Sequence, residues 1–137
     1  MPAIIDYVDN KEYHLAESIA ILRYLAHTTQ ISLNFYPMDL KQRAHVDEFL
    51  QWQHTGIRTS CSLYFRFTFA QSKLFGYPAS EEKIRKYQKM MENDLNQMEH
   101  LWLSETKFLI GNKITAADVF GACEIEQISK CMKNNSI

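Results

Sequence analysis

The spacing of apolar residues along the chain predicts a short β-hairpin followed by a series of helices. Residues 2–5 (PAII) and 12–15 (EYHL) are two candidate strands, and the turn-forming residues 9–11 (DNK) lie between them. From Glu17 to Ala26 the apolar positions recur at helical spacing, and we expect Ser18 to be the N-cap. An isolated hairpin is marginally stable in water, so another part of the molecule should cover it.

The middle of the chain predicts long helices. Residues 28–37 read as a linker closed by Tyr36-Pro37, and residues 38–75 form either one very long helix or two with a bend near Gly56. After the breakers at 76–78, Ser80 should cap a helix whose Met-rich apolar stripe runs to Trp102. This stripe favours core packing over an adaptable binding face.

The last element has a strong local start signal. Residues 114–119 (ITAADV) match a capping box with a hydrophobic staple between Ile114 and Val119. Thr115 should accept from the Asp118 amide, and the Asp118 carboxylate should reach back to the Thr115 amide. The helix that follows, to about Met132, is apolar nearly all round, and we expect it to be buried.

Composition narrows the class of protein. The chain has 137 residues, which suits one domain of usual size, and its net charge of −1 argues against a nucleic-acid or membrane partner held by bulk charge. The three cysteines (Cys61, Cys123 and Cys131) form no CxxC pair, so neither a disulfide framework nor a metal site is expected. Without a visible signal peptide or membrane-spanning run, a cytoplasmic protein is the prediction.

Motifs for self-contained catalysis are missing, whereas one ligand-binding feature is present. The five histidines are scattered, and the cluster Ser60-Cys61-Ser62 reads as small residues at a helix contact. Glu17 and Ser18 stand where a strand meets a helix N-terminus, which can hold the carboxylate and the ammonium group of a small zwitterion. The alternative is that Ser18 only caps and Glu17 only complements the helix dipole.

Three segments resemble a known family. Residues 2–5 with 15–25 (LAESIAILRYL) are similar to a glutathione S-transferase segment that carries an ES-x-AI motif. Tyr36-Pro37 with residues 43–55 (RAHVDEFLQWQHT) resembles the theta class, and residues 111–118 (GNKITAAD) resemble the capping box of that family's buried helix. The resemblance covers residues 2 to about 127.

The resemblance implies a mainly α fold. Residues 1–30 would be the last hairpin and helix of a thioredoxin-like, glutathione-binding domain, and residues 38–137 an all-helical C-terminal domain that is incomplete at its end. The connection at residues 6–12 is longer than the class usually has. The truncation at both ends leaves an alternative to the enzyme, namely a catalytically inactive isoform acting as a helical binding or interaction protein.

The resemblance also implies site residues. Glu17 and Ser18 would grip the γ-glutamyl end of glutathione, the Met1 backbone would pair with its cysteinyl unit, and Pro2 would hold a cis bend. Arg58 and Thr55 would lie at the cleft, although Arg58 is equally well read as a surface or interface cation.

A transferase activity follows from the same resemblance. The glutathione thiolate would be conjugated to small hydrophobic electrophiles in detoxification, by a homodimer with glutathione as co-substrate and no other cofactor. The serine that activates the thiol in this class would precede Met1, so no catalytic residue is assigned within the chain.

Overall fold

A computed structural model describes residues 2–29, 35–78 and 80–134, the last five of these by their backbone alone. The described elements are β1 (Ala3–Val8), β2 (Lys11–Ala16), α1 (Ser18–Thr28), α2 (Leu40–Thr55), α3 (Ile57–Phe65), a π-helical segment (Arg66–Leu74), α4 (Glu81–Leu101) and α5 (Ala116–Asn134). The predicted fold class, a hairpin followed by helices, is confirmed.

The hairpin is tighter than the sequence indicated. Its two antiparallel strands pair from Ala3 opposite Ala16 to Val8 opposite Lys11, and only Asp9 and Asn10 connect them. Both connecting residues have positive φ, 52° and 58°, as a two-residue loop between twisted strands requires. The connection placed at residues 6–12 is therefore shorter in the structure, because residues 6–8 belong to β1 and residues 11–12 to β2.

Helix α1 is anchored to one face of the hairpin. The Tyr24 hydroxyl donates to Oδ2 of Asp6 at 2.5 Å, and the Tyr24 and Tyr13 rings lie 5.2 Å apart. The bond from Tyr24 lowers the pKa of the Asp6 carboxyl below its usual value. On the opposite face Ile5 and Tyr7 are exposed, so within the described residues the expected cover is one-sided.

Asp47 of α2 joins the hairpin–α1 unit to the helical part. Its Oδ1 accepts from Nη2 of Arg23 at 2.8 Å and from the Tyr36 hydroxyl at 2.9 Å. The Arg23 guanidinium beside Asp47 has its pKa raised, and burial raises the pKa of Tyr36. This three-residue contact fixes the position of α1 relative to α2.

The predicted bend at Gly56 is present, and α3 packs against α2, α4 and α5 beyond it. The core is formed by side chains with no exposed surface, among them Val46, Phe49, Leu50, Ile57 and Cys61. Met91 and Met98 of the α4 stripe are also buried, which confirms the core interpretation of that stripe.

Helix α5 begins as predicted but is buried on one face only. Asp118 Oδ2 accepts from the Thr115 amide at 2.7 Å, and its Oδ1 accepts from the Leu109 amide at 2.8 Å. The Thr115 hydroxyl donates to Oδ2, where the sequence predicted that it would accept from the Asp118 amide. Val119, with Ala122 and Ile125, is exposed, because the described residues pack against only one side of the helix.

Candidate functional site

Glu17 is the single residue between β2 and α1, and its backbone is unusual. Its φ is 74° and its ψ is 119°, a conformation that L residues other than glycine rarely adopt. The sharp turn follows from the direct passage of strand into helix, since β2 ends at Ala16 and α1 begins at Ser18. Such strain is often found at ligand-binding sites, where the surrounding structure maintains it.

Glu17, rather than Ser18, is the N-cap of α1. Its carbonyl accepts from the Ile21 amide at 2.9 Å, and no side chain caps the helix. The prediction that Ser18 caps the helix was therefore wrong, because the turn occurs one residue earlier and places Ser18 in the first helical turn. The Glu17 carboxylate is exposed and Ser18 is half-buried, so both lie beside uncapped amides at the positive end of a helix dipole.

Arg58 lies in a second group of polar side chains at the α2–α3 bend. Its Nε is 3.6 Å from Oε1 of Glu124 on α5, and its Nη1 is 3.4 Å from Nδ1 of His54. The Glu124 side chain is 14% exposed, and burial raises its pKa although Arg58 and His54 oppose that rise. Sequence reasoning missed Glu124, because it is one of several charged residues on α5 and nothing in its spacing marks it.

The other residues expected at the site are exposed or lie outside the described residues. Thr55 is exposed at the end of α2, where its hydroxyl donates to the Trp52 carbonyl at 3.4 Å. Pro2 is exposed, and Met1 lies outside the described residues. In the described part of the chain no hydrogen bond or ion pair joins the Glu17–Ser18 corner to the Arg58 group, so the structure holds two separate clusters.

Among the cysteines whose side chains the structure describes, Cys61 and Cys123, neither contacts the Glu17–Ser18 corner, and Cys61 is not an activated nucleophile. Cys61 is fully buried in α3, and burial raises the pKa of its thiol to about 12, which keeps it protonated at neutral pH. Burial of Ser60 and Cys61 agrees with their interpretation as small residues at a helix contact. Cys123 is exposed on α5 and lines an open groove of about 730 Å³ together with Phe108, Ile114 and Val119.

Known proteins resemble this chain over most of its length. No family model matches the chain. Mouse glutathione S-transferase theta-1 is 35% identical over 127 residues, which make up 91% of this chain and 50% of that protein. Human glutathione S-transferase T1-1 in its apo form has a similar structure, with a TM-score of 0.84 at 32% identity over 87% of this chain and 50% of that one.

A second solved structure shows a ligand on such a protein. It is a human theta-class glutathione transferase in complex with the glutathione conjugate of 1-menaphthyl sulfate. Its TM-score is 0.80 at 32% identity, over 87% of this chain and 48% of that one. The chain spans about half the length of the curated relatives it matches.

A two-stranded hairpin followed by helices is thus shared with solved glutathione transferases. The chain belongs to the glutathione S-transferase family. Within that family its curated relatives are of the theta class, as Tyr36-Pro37 and residues 43–55 indicated.

Proposed function

We propose that the chain supplies the γ-glutamyl-binding corner and the helical domain of a theta-like glutathione transferase. In the proposed reaction the thiol of glutathione loses its proton, the thiolate forms a bond to a small electrophile, and the leaving group departs with its electron pair. The strained conformation of Glu17 at an uncapped helix N-terminus carries the proposal. Theta-class relatives and a theta-class complex with a glutathione conjugate support it.

The chemistry of the corner fits the zwitterionic end of glutathione. The uncapped amides of α1 and the Ser18 hydroxyl can donate to the γ-glutamyl carboxylate, while the exposed Glu17 carboxylate can accept from its ammonium group. The strained backbone holds the Glu17 side chain beside those amides before the ligand arrives, which reduces the entropy lost on binding. We assign this role to Glu17 and Ser18, and assign cysteinyl contacts to the Met1 backbone and Pro2.

Arg58 is proposed as the cation of the electrophile cleft, with Thr55 beside it. The Arg58 side chain is 42% exposed and is held on its inner side by Glu124, so it can still meet an anionic or polar leaving group. The ion pair with Glu124 also reduces the positive charge available to a ligand. We infer that Arg58 orients the electrophile, and we assign no residue of this chain to activation of the thiol.

The compartment, the oligomeric state and the division into two units are part of the proposal. We propose a cytoplasmic homodimer in two units, residues 1–30 and 38–137, that acts in detoxification with glutathione as co-substrate and no further cofactor. In the part of the chain that the structure describes, no helix is long and apolar enough to cross a bilayer. Sedimentation equilibrium of the purified chain tests the dimer, and a monomer at all concentrations would contradict it.

An inactive interaction protein is the second candidate function. The outward face of the hairpin favours this second function, because Ile5 is 58% exposed and Tyr7 is 69% exposed. Their neighbours on the paired strand are His14 and Glu12. An exposed apolar face of this kind is suited to a partner. A measurable conjugation rate from this chain would contradict the second candidate.

Calorimetric titration with glutathione tests the corner. Glu17→Gln should weaken glutathione binding about tenfold or more, since a charge-assisted hydrogen bond to the ammonium group is lost. The matched control is Glu82→Gln, which removes an exposed carboxylate from the first turn of α4 and should leave the affinity unchanged. Equal affinity of the wild type and Glu17→Gln would contradict the assignment.

A further inference from the structure

The charges of the chain are unevenly distributed. Residues 66–90 contain six Lys and Arg and two Glu, so this stretch carries +4 while the whole chain carries −1. The stretch corresponds to the π-helical segment, the turn after it and the first half of α4. Among the described ion pairs only one involves a cation of this stretch, between Arg85 and Glu81 at 3.3 Å. A chain with a net charge of −1 therefore concentrates positive charge in this stretch.

Exposed apolar side chains lie at the same end. Leu74 and Phe75 are each 63% exposed and Tyr77 is 66% exposed. Leu74 ends the π-helical segment, and Phe75 and Tyr77 lie on the turn before α4. An added Cβ at Gly76 would meet no atom within 4 Å, which indicates open space around the turn. The apolar side chains are thus exposed on an open turn.

The turn is anchored to the helix before it. The Phe75 amide donates to the Ala70 carbonyl at 3.1 Å, and the Tyr77 amide donates to the Gln71 carbonyl at 3.0 Å. The Gln71 side-chain amide in turn donates to the Pro78 carbonyl at 2.9 Å. These bonds hold the exposed side chains in position, so a partner need not order the turn.

Two lysines of α4 lie beside an aromatic pair formed by the π-helical segment and α4. The rings of Phe67 and Tyr87 are stacked with centroids 5.1 Å apart. Lys83 Nζ lies 5.1 Å from the Phe67 ring centre and Lys86 Nζ lies 5.6 Å from that of Tyr87. Because these rings already stack on each other beneath cations, they are poorly placed to stack on nucleic-acid bases.

We propose that this end of the molecule docks on an anionic lipid membrane surface. The docking residues, named here the basic–apolar end, are Arg66, Lys73, Leu74, Phe75, Tyr77, Lys83 and Lys86. Leu74, Phe75 and Tyr77 enter the headgroup region, and the long cationic side chains behind them meet lipid phosphates and carboxylates. An open, exposed apolar turn with cations near it fits a lipid surface better than it fits a peptide, which needs a groove.

Vesicle co-sedimentation of the full chain tests the proposal. Vesicles of phosphatidylcholine are compared with vesicles in which about one third of the lipid is phosphatidylserine. The wild type should bind the anionic vesicles at least about tenfold more tightly, and added salt should weaken the binding. Equal binding to both vesicles, or no binding to either, would overturn the proposal.

Two pairs of variants locate the surface. Lys83→Glu with Lys86→Glu should reduce binding to anionic vesicles at least about tenfold, whereas Lys41→Glu with Lys113→Glu makes the same charge change at exposed positions elsewhere. Leu74→Ser with Phe75→Ser should also reduce binding, and Leu40→Ser with Leu101→Ser is the matched apolar control, at 78% and 65% exposure.

The control variants and an RNA-binding assay distinguish a membrane partner at this surface from the alternatives. Losses of equal size in the test pairs and the control pairs would overturn the assignment of the surface, since bulk charge or bulk apolarity would then be responsible. Circular dichroism checks that the variants remain helical. A third outcome would identify a nucleic acid as the partner and overturn the membrane proposal. In that outcome the wild type binds single-stranded RNA but no vesicles, and the Lys83→Glu and Lys86→Glu pair abolishes the RNA binding.

Discussion

Gly56 brings α2 and α3 together at the bend beside the Arg58 group. Its backbone, with φ of −88° and ψ of −115°, closes one helix and opens the next. A Cβ built there would lie 2.9 Å from Cε2 of Trp52, closer than real Cβ contacts. The ring centroids of Trp52 and Trp102 are 4.4 Å apart. A change at residue 56 therefore also affects the aromatic contact between α2 and the residue that follows α4.

Gly56→Ala should therefore destabilise the fold by about 1–3 kcal/mol, because the added methyl group overpacks against the indole. Urea unfolding followed by tryptophan fluorescence measures this, and the native emission should also shift. Gly76→Ala is the control, since φ there is 70° but nothing lies within 4 Å, so it costs only backbone strain. An unchanged tryptophan signal in Gly56→Ala would contradict the packing account.

Glu124 gives a pH-dependent prediction. Burial raises its folded-state pKa above the usual value of 4.5, so the folded chain binds this proton more tightly than the unfolded chain does. The stabilisation from protonated Glu124 is present at low pH and is lost as the pH rises through the folded-state pKa. In Glu124→Gln this loss should be absent.

The comparison is made by urea unfolding of the wild type and Glu124→Gln over a pH series from acid to neutral. The free-energy difference between the two should move in favour of Glu124→Gln as the pH rises. Glu99→Gln, at an exposed position on α4, is the control and should leave the pH profile of the wild type unchanged. If the difference in the free energy of unfolding between the wild type and Glu124→Gln does not change with pH, the account of Glu124 as a buried carboxylate with a raised pKa is contradicted.

At the scale of elements, the start of α5 depends on one carboxylate. Both oxygens of Asp118 accept backbone N–H bonds, from Leu109 and from Thr115, so this residue fixes the preceding loop as well as the helix. In Asp118→Asn the amide group would face one of these donors with a donor of its own. We expect a loss of about 1–3 kcal/mol in the free energy of unfolding.

The matched control is Asp39→Asn at the start of α2, where the carboxylate accepts one bond, from the Gln42 amide at 2.9 Å. Asparagine is an equally good N-cap at such a position, so the change should be small. Chemical denaturation of both variants supplies the test. Equal effects would show that the second bond to Leu109 adds nothing.

Local signals predicted most of these elements because they depend on neighbouring residues. Asp9 and Asn10 tolerate positive φ, Gly56 marks the bend, and Asp118 stands three residues after Thr115. The turn at Glu17 could not be read in the same way, since nothing local requires a glutamate to adopt a φ of 74°. The adjoining strand and helix impose that conformation.

Contacts between distant segments explain the other failures. The sequence of α5 indicates an apolar helix, but whether its second face is covered depends on what packs there, and the described residues cover only one. The pairing of Arg58 with Glu124 joins residues 66 positions apart, so no spacing rule could find it. The candidate site was predicted at Glu17 and Ser18 from family resemblance, and the role of each residue stays a prediction.

At the scale of the whole molecule, Asp47 connects the candidate glutathione-binding corner to the helices. Asp47→Ala would leave Arg23 and the buried hydroxyl of Tyr36 without their acceptor. Because Arg23 and Asp47 are partly exposed, we expect a modest loss of about 1 kcal/mol, concentrated in the hairpin–α1 unit. Hydrogen exchange should show faster exchange in α1 than in α4.

Glu48→Ala is the control for this prediction. It removes the adjacent, exposed carboxylate, which pairs at the surface with His45 at 3.1 Å, and it should leave the exchange of α1 amides unchanged. If Asp47→Ala accelerates exchange uniformly over all helices, the contact is not a local connection between the two parts.

The central claim is that the junction of β2 and α1 holds the γ-glutamyl end of glutathione. An NMR titration of the ¹⁵N-labelled chain with glutathione tests it most directly, residue by residue. We predict that the largest shifts occur at the amides of Glu17, Ser18 and Ile19, and that the Ser80-capped start of α4 stays unchanged. The absence of shifts at the first turn of α1, or shifts confined to the outward face of α5, would contradict the claim.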